Sequence, residues 1–97
     1  MYARVTFGTA QSGKLDEAIK IMRESVGPAV KKKKGFKGSF FLTDRNTGKC
    51  ISIALWNTEA DMKASEGTER YKQEMGKLAP LFTGPFTIDH YEVSVKG

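Results

Sequence analysis

Two hydrophobic periodicities follow one another in a fixed order along this chain, and that order limits the possible folds most strongly. Apolar and polar residues alternate in segments 2–7, 36–43, 49–56 and 86–96, which is typical of strands. Apolar residues recur at three- and four-residue steps in 15–33 and again in 58–82, which indicates amphipathic helices. The order strand, helix, strand, strand, helix, strand predicts an α+β, ferredoxin-like split βαβ domain. Its four-stranded antiparallel sheet carries two helices on one face.

Turn and capping residues mark the boundaries of these elements. Gly27-Pro28 interrupts the first helix, and a kink or short break is expected there because proline lacks the backbone N–H. The stretch Asp44-Arg45-Asn46-Thr47-Gly48 predicts a hairpin between the second and third strands. Thr58 is placed to cap the next helix, which Gly67 breaks and Thr68 restarts.

Length and composition place the chain in a broad class. Its 97 residues predict a single domain, 1–97, with one core. No apolar run is long enough to span a bilayer, so no membrane association is expected. The N-terminal residues read as a strand and not as a signal peptide, which predicts a cytoplasmic protein.

The net charge of +5 raises the question of an anionic partner. The run Lys31–Lys34 precedes Gly35, and cations followed by glycine are typical of a helix C-terminus, so this reading is favoured over a phosphate-binding patch. Lys34-Gly35-Phe36 matches the start of an RNA-recognition motif, but Lys37 and Gly38 break it and it lies on the wrong strand. No nucleic-acid partner is therefore expected.

Alternation sorts the strand residues onto two faces of the sheet. The more apolar face is predicted to pack under the helices and contains Val5, Phe7, Phe40, Leu42, Ile51, Ile53 and Leu55. The other face contains Tyr2, Arg4, Thr6, Ser39, Phe41, Thr43, Cys50, Ser52, Ala54 and Trp56. Burial of a large side chain such as Phe41 or Trp56 is worth roughly 1.5–3 kcal/mol or more. No segment remains to cover them, which predicts a homodimer whose second sheet closes a partly polar cavity.

The alternation does not decide which residues of the last strand point inward, because two sets of residues compete for those positions. One set is Phe86, Ile88 and His90, and the other is Tyr91, Val93 and Val95. At most one of His90 and Tyr91 therefore faces the cavity.

Four stretches resemble the antibiotic biosynthesis monooxygenase domain family: 13–18, 35–39, 44–48 and above all 54–61. The resemblance covers nearly the whole chain. It implies a dimeric α/β barrel and a small aromatic phenol or quinol bound between sheet and helices of a homodimer. Family members include cofactor-independent monooxygenases, haem-degrading enzymes, isomerases and proteins without known activity. A non-catalytic, ligand-binding or stress-related barrel protein is the alternative.

The haem-degrading branch of that family uses an asparagine on the first strand, and a tryptophan and a histidine in the second helical region. The matching positions here hold Thr6, Ser65 and Met75. The resemblance therefore does not imply haem degradation of that type.

A cofactor-independent monooxygenase must exclude water, orient the ring and favour its anion through a base or a cation. Trp56 and Phe41 are the candidate walls and Arg4 the candidate cation, while Tyr2 and Thr6 are candidate hydrogen-bonding residues. Histidine titrates nearest to neutral pH, so His90 is the default general base.

Each of these candidates has a structural alternative. Arg4 could pair with Asp89 or Glu92 on the last strand, Trp56 could be a packing residue, and His90 could be an ordinary strand residue. Cys50, the only cysteine, has no basic partner to activate it as a nucleophile. One histidine without a cysteine pair makes no readable metal site, and no cofactor is expected.

Overall fold

Four strands form one antiparallel sheet in the computed structural model, which describes residues 1–97. The strands are β1 (Tyr2–Thr9), β2 (Phe36–Thr43), β3 (Lys49–Trp56) and β4 (Thr87–Glu92). Their spatial order is β2-β3-β1-β4, and β1 pairs with β3 and β4. The predicted ferredoxin-like α+β topology is confirmed. The last strand ends at Glu92, earlier than the alternation predicted.

The first helical segment is continuous but irregular. It consists of α1 (Leu15–Ile21), a π-helical turn (Met22–Val26) and α2 (Gly27–Val30). Gly27 donates its N–H to the carbonyl of Met22, five residues earlier, while its own backbone stays in the right-handed helical region. Of the kink or short break predicted at Gly27-Pro28, the break is absent, because a wider turn just before the proline lets the helix continue through it.

The second helical region follows the capping residues closely. It contains α3 (Glu59–Glu66), α4 (Glu69–Leu78) and a 3₁₀ turn (Ala79–Leu81). The Thr58 hydroxyl accepts the N–H of Asp61, and the Thr68 hydroxyl accepts the N–H of Tyr71. Thr68 therefore fixes where α4 begins and which of its side chains point toward the sheet. None of the helices is both long and apolar enough to cross a membrane.

The predicted assignment of the sheet faces is wrong, because the structure reverses it. Trp56 lies under the helices with no exposed surface, next to the fully buried Met62 of α3. Phe40 and Leu42, predicted to be under the helices, are 58% and 46% exposed. Alternation separates the faces, but only the path of the crossovers decides which face the helices cover.

Buried apolar residues form two clusters with space between them. One joins β1, β3, the first helix and the end of α4, and contains Ala10, Ala18, Cys50, Leu78, Leu81 and Phe82. The other contains Ala54, Trp56 and Met62. Phe36 meets the Trp56 ring edge-on at 5.6 Å, and it pairs with Trp56 at the register shift between Phe36 and Gly38. The division of the core leaves the middle of the helix-covered face open.

Candidate active site

The candidate site is the cavity between the sheet and the helices. The cavity has a volume of about 90 Å³. Its walls are mostly apolar and include Met22 and Val26 of the π-helical turn, Phe41 of β2 and Phe86 before β4. A wider depression of about 370 Å³ adjoins it between the first helical segment and β2.

Arg4 is the charged residue at the centre of this site. It is only 7% exposed, and its guanidinium carbon lies 5.4 Å from the ring centre of Trp56 and 5.0 Å from that of Tyr71. Its Nη1 donates to the hydroxyl of Ser65 at 2.8 Å and lies 3.5 Å from the carbonyl of Met62. Two aromatic rings and two hydrogen bonds therefore hold this buried cation in one orientation.

A chain of polar contacts leads from Arg4 to the surface. Arg4 Nη1 lies 3.7 Å from the carboxylate of Glu66, at the end of α3. Nε2 of His90 contacts both oxygens of the same carboxylate, at 2.9 and 3.0 Å. Because β4 pairs with β1 so that His90 lies opposite Arg4, the two side chains share the helix-covered face.

Tyr71 of α4 brings a hydroxyl into the same space. It lines the cavity, and its Oη is shut off from water without a hydrogen-bond partner. Burial raises the pKa of Tyr71, the charge of Arg4 opposes that rise, and the charge of Glu66 adds to it. Tyr71 is therefore neutral at physiological pH, and its O–H has no protein acceptor.

Glu74 anchors the opposite wall. It is 5% exposed, and it accepts hydrogen bonds from Ser25 of the π-helical turn and Lys77, and a charged contact from Arg70. Burial alone would raise the pKa of Glu74, but the bonds from Ser25 and Lys77 and the charges of Lys77 and Arg70 outweigh it and lower that pKa. The ionised carboxylate thus ties the π-helical turn to α4 and fixes the width of the cavity.

The structure brings together half of the residues predicted for the site. Arg4, Thr6 and Phe41 line the cavity. Trp56 lies beneath Arg4 and does not line the cavity. Tyr2 packs against the cluster around Trp56, and His90 lies outside the cavity with its ring on Glu66.

The alternative partners considered for Arg4 are not used. Asp89 pairs with Val5 and therefore lies on the other face of the sheet, while Glu92 pairs with Tyr2 at the end of the strand. Arg4 contacts Glu66 instead. The open question about the last strand is also answered: His90 shares the face of Arg4, and Tyr91, opposite Ala3, is half exposed on the other face.

Sequence reasoning missed Ser65, Glu66, Tyr71 and Glu74 as members of the site. Tyr71 was visible only as part of an apolar helical stripe. Glu74 lies three residues after Tyr71 and four before Leu78, the spacing of one helix face. A carboxylate at such a position is a signal of a buried polar network, because charged residues are almost never buried unless paired.

Cys50 also lines the cavity, but as a packed and unreactive side chain. Burial raises the pKa of the Cys50 thiol, opposed by a hydrogen bond from the backbone of Ala10. No group of three His, Cys, Asp or Glu side chains is arranged to hold a metal ion.

Comparison with known sequences finds relatives without an assigned activity. No family model matches the chain. Proteins Rv2557 and Rv2558 of Mycobacterium tuberculosis H37Rv, both described as uncharacterized, are 33% identical over 94 residues and 32% identical over 95 residues. These matches cover 97% and 98% of this chain but 41% and 39% of the relatives. The chain thus spans about two fifths of their length.

Comparison with solved structures finds the same fold throughout the chain. A point mutant of SnoaB from Streptomyces nogalater, described as a cofactor-independent oxygenase, superposes with a TM-score of 0.84 at 14% identity, over 98% of this chain and 94% of SnoaB. A provisionally assigned antibiotic biosynthesis monooxygenase from Deinococcus radiodurans gives 0.83 at 15% identity, covering 99% and 95%. Rv0793 from M. tuberculosis gives 0.76 at 10% identity, covering 94% and 92%. The chain therefore has the α+β fold of the antibiotic biosynthesis monooxygenases.

Proposed function

We propose that this protein is a cofactor-independent monooxygenase that oxidises a small phenol or quinol in the cavity between its sheet and helices. The observation that carries the proposal is one buried cation, Arg4, facing a cavity whose walls are mostly apolar. A cation held out of water favours the anionic form of a bound ligand more strongly than it would in water. A binding protein without chemistry is the alternative outcome of the tests below.

The reaction needs an electron-rich ring and dioxygen. Ionisation of the phenol near Arg4 releases a proton to water and leaves a phenolate, which is the form able to give electrons to dioxygen. One oxygen atom then bonds to a ring carbon and the other leaves as water, so that a phenol and O₂ yield a quinone and H₂O. The ring is the reductant and dioxygen the oxidant. Arg4 stabilises the negative charge throughout, and the apolar walls keep bulk water from the intermediate.

Tyr71 and Phe41 orient the ring in this proposal. The Arg4 guanidinium lies 5.0 Å from the Tyr71 ring centre. The Tyr71 hydroxyl is enclosed without a partner in the empty protein, so in this proposal the side chain turns to donate to the ligand oxygen that Arg4 binds. Phe41 stands on β2 at the depression that adjoins the cavity, where it can contact the ring plane. Glu74 is a poor base for a phenol, because its pKa is lowered by Ser25 and Lys77 against the effect of burial.

His90 acts in this proposal as a positioning residue for Arg4. Its ring does not line the cavity, and its Nε2 is engaged with Glu66, which in turn faces Arg4. His90→Gln retains a side-chain N–H able to reach Glu66, whereas His90→Ala does not. A positioning role predicts that the Gln variant stays within a few-fold of the parent in kcat/KM and that the Ala variant loses more. A general base would cost about 10²–10⁴-fold in both variants.

The proposal is tested by measuring oxygen consumption with hydroquinones and polycyclic phenols, without added flavin or metal. The parent is compared with Arg4→Gln, and Arg45→Gln serves as the matched control because Arg45 is exposed on the hairpin and pairs with Asp16. We expect turnover in the parent and control and a loss of about 10²-fold or more in Arg4→Gln. If no such compound consumes oxygen but ring-shaped ligands raise the melting temperature, the protein binds without catalysis.

The proposal includes a homodimer. Phe7, Phe40, Leu42 and Tyr91 are 37%, 58%, 46% and 51% exposed on the sheet face away from the helices. An apolar patch of this kind is unusual on a monomer and marks an interaction site. A second copy packed sheet to sheet by a two-fold axis would cover it and leave both cavities on the outside of the barrel.

A further inference from the structure

The geometry of Arg4 points to a more specific ligand than a simple phenol. We propose that the cavity selects planar anions that present two adjacent oxygens, as an aryl carboxylate or an ionised hydroxyquinone does, and that the Nε–H and Nη2–H of Arg4 bind that oxygen pair. The inference rests on the proposed function in taking this cavity as the ligand site. It does not depend on turnover.

Only some of the hydrogen-bond donors of Arg4 have partners in the protein. A guanidinium has five N–H donors, one on Nε and two on each Nη. The contacts with Ser65, Met62 and Glu66 all use Nη1. No protein group accepts from Nε or Nη2, which leaves three N–H donors without a partner.

These free donors retain contact with open space. The side-chain nitrogen and oxygen atoms that are fully enclosed without a partner are Trp56 Nε1 and Tyr71 Oη, and no atom of Arg4 is among them. Arg4 keeps 7% of its surface exposed, and it lines both the cavity and the adjoining depression. Its accessible edge therefore faces the space in which a ligand would bind.

The free edge of Arg4 has the shape of a bidentate site. Nε–H and one N–H of Nη2 point in parallel from the same side of the planar group, and this fork matches two oxygens of one planar anion. Trp56 and Tyr71 both contact the guanidinium, and Ser65 bonds to it, so the fork needs little ordering when a ligand binds.

The other charges of the cavity leave this preference intact. Arg70 and Lys33 line the cavity as additional cations, although Arg70 contacts Glu74 and Lys33 donates to Thr68. Glu74 is the carboxylate in the lining, and it is bonded to Lys77 and Ser25. Glu66 offsets part of the charge of Arg4 from the Nη1 side, away from the fork. The lining therefore favours one added negative charge.

The test is calorimetric titration under nitrogen with two matched pairs of ligands. The first pair is 2-naphthoate and neutral 2-naphthamide, and the second is 2-hydroxy-1,4-naphthoquinone, ionised at neutral pH, and its neutral 2-methoxy analogue. We expect each anion to bind at least about tenfold more tightly than its neutral counterpart, the margin between charged and neutral hydrogen bonds. If only the naphthoate binds more tightly than its neutral counterpart, the ligand class is the aryl carboxylates. If only the hydroxyquinone does so, the ligand class is the ionised hydroxyquinones. Either result supports the bidentate site on Arg4.

Two further measurements assign the preference to Arg4. The chain has four arginines, so the Nε–H signals in an ¹⁵N spectrum are few. The signal that disappears in Arg4→Lys should be the one that shifts when the anion binds to the parent. Arg4→Lys keeps the charge but lacks the fork, and it should lose the tenfold preference. Equal affinity for both members of each pair, or a shift confined to another arginine, would overturn the inference.

Because oxygen is excluded, this result is separable from the proposed activity. Anion preference without oxygen consumption by any phenol would leave the fork in place and remove the monooxygenase. Oxygen consumption without anion preference would keep the monooxygenase and remove the bidentate anion site.

Discussion

The two faces of the sheet differ in a way that their apolar content alone would not suggest. The face with Val5, Ile51, Ile53 and Leu55 is the more apolar one, yet no helix covers it, and Phe40 on it is 58% exposed. The helix-covered face contains Arg4, Thr6 and Ser52 and encloses the cavity. Burying a charge costs free energy unless it is paired and hydrogen-bonded, and the contacts of Arg4 Nη1 with Ser65 and Glu66 offset part of that cost.

The difference shows that the most apolar surface of a small domain need not be its internal core. An apolar face without a helix is suited to a partner, and a mixed face under helices is suited to a ligand.

The largest effect is expected on the open face. Phe40→Lys removes apolar burial worth about 1.5–3 kcal/mol from each copy, and a two-fold interface loses it twice. We expect the dimer to weaken by at least about a hundredfold. Sedimentation at micromolar concentration should report about twice the 10.7 kDa chain mass for the parent and one chain mass for the variant.

The matched control for this experiment is Gln73→Lys, which adds the same charge at an exposed position of α4. It should leave the mass unchanged. A monomeric parent would contradict the proposed homodimer directly.

On the helix-covered face, Trp56→Ala tests a buried anchor. Trp56 has no exposed surface and packs against Met62 and Phe36. Replacement should lower the free energy of unfolding by about 3–5 kcal/mol, the usual cost of removing a large aromatic side chain from a core. Urea unfolding in the Phe40→Lys background compares monomers with monomers. A cost below about 1 kcal/mol would show that Trp56 is not a core residue.

A smaller and pH-dependent effect is expected at Glu74. Bonds from Ser25 and Lys77 lower its pKa in the folded protein against the effect of burial, so ionised Glu74 contributes stability above the ordinary glutamate pKa of about 4.3. That contribution is lost as pH falls through the lowered folded-state pKa. Glu74→Gln should cost about 1.5–3 kcal/mol at pH 7 and less at acidic pH.

The measurement is the free energy of unfolding from pH 7 to pH 3 for the parent and the variant. The two curves should converge as the pH falls. Glu69→Gln, a more exposed glutamate on the same helix, is the control and should change stability by less than about 0.5 kcal/mol. A constant difference between parent and Glu74→Gln across this range would exclude the ionised network as its cause.

Local patterns predicted most of the fold, because strand alternation and capping residues act over a few positions. The hairpin at 44–48 and the caps at Thr58 and Thr68 are present as expected. The covered face was not predictable from alternation, which is symmetric between the two sides of a sheet. The contact of Arg4 with Glu66 was not predictable either, because only the crossover brings β1 and α3 together.

The candidate site was predictable only in part for a similar reason. Arg4, Thr6 and Phe41 follow from strand parity, since one face had to contain them all. Tyr71 and Glu74 lie on a helix whose rotation about its axis is set by the Thr68 cap and by the Ser25 bond to Glu74. These contacts are tertiary, and a single sequence gives no distance between them.

The smallest expected change in stability is at the Tyr71 hydroxyl, where it separates a ligand site from a packed core. An enclosed hydroxyl without a partner has lost its bonds to water, so Tyr71→Phe should leave the empty protein unchanged or more stable by up to about 1 kcal/mol. Affinity for 2-naphthol should instead fall by about three- to tenfold, because the variant lacks the donor to the ligand oxygen. Tyr2→Phe, outside the cavity lining, removes the same atom and should leave affinity unchanged. Equal affinity of the Tyr71→Phe variant and the parent would mean that the ligand does not reach Tyr71, and that the helix-covered face differs from the open face in packing alone.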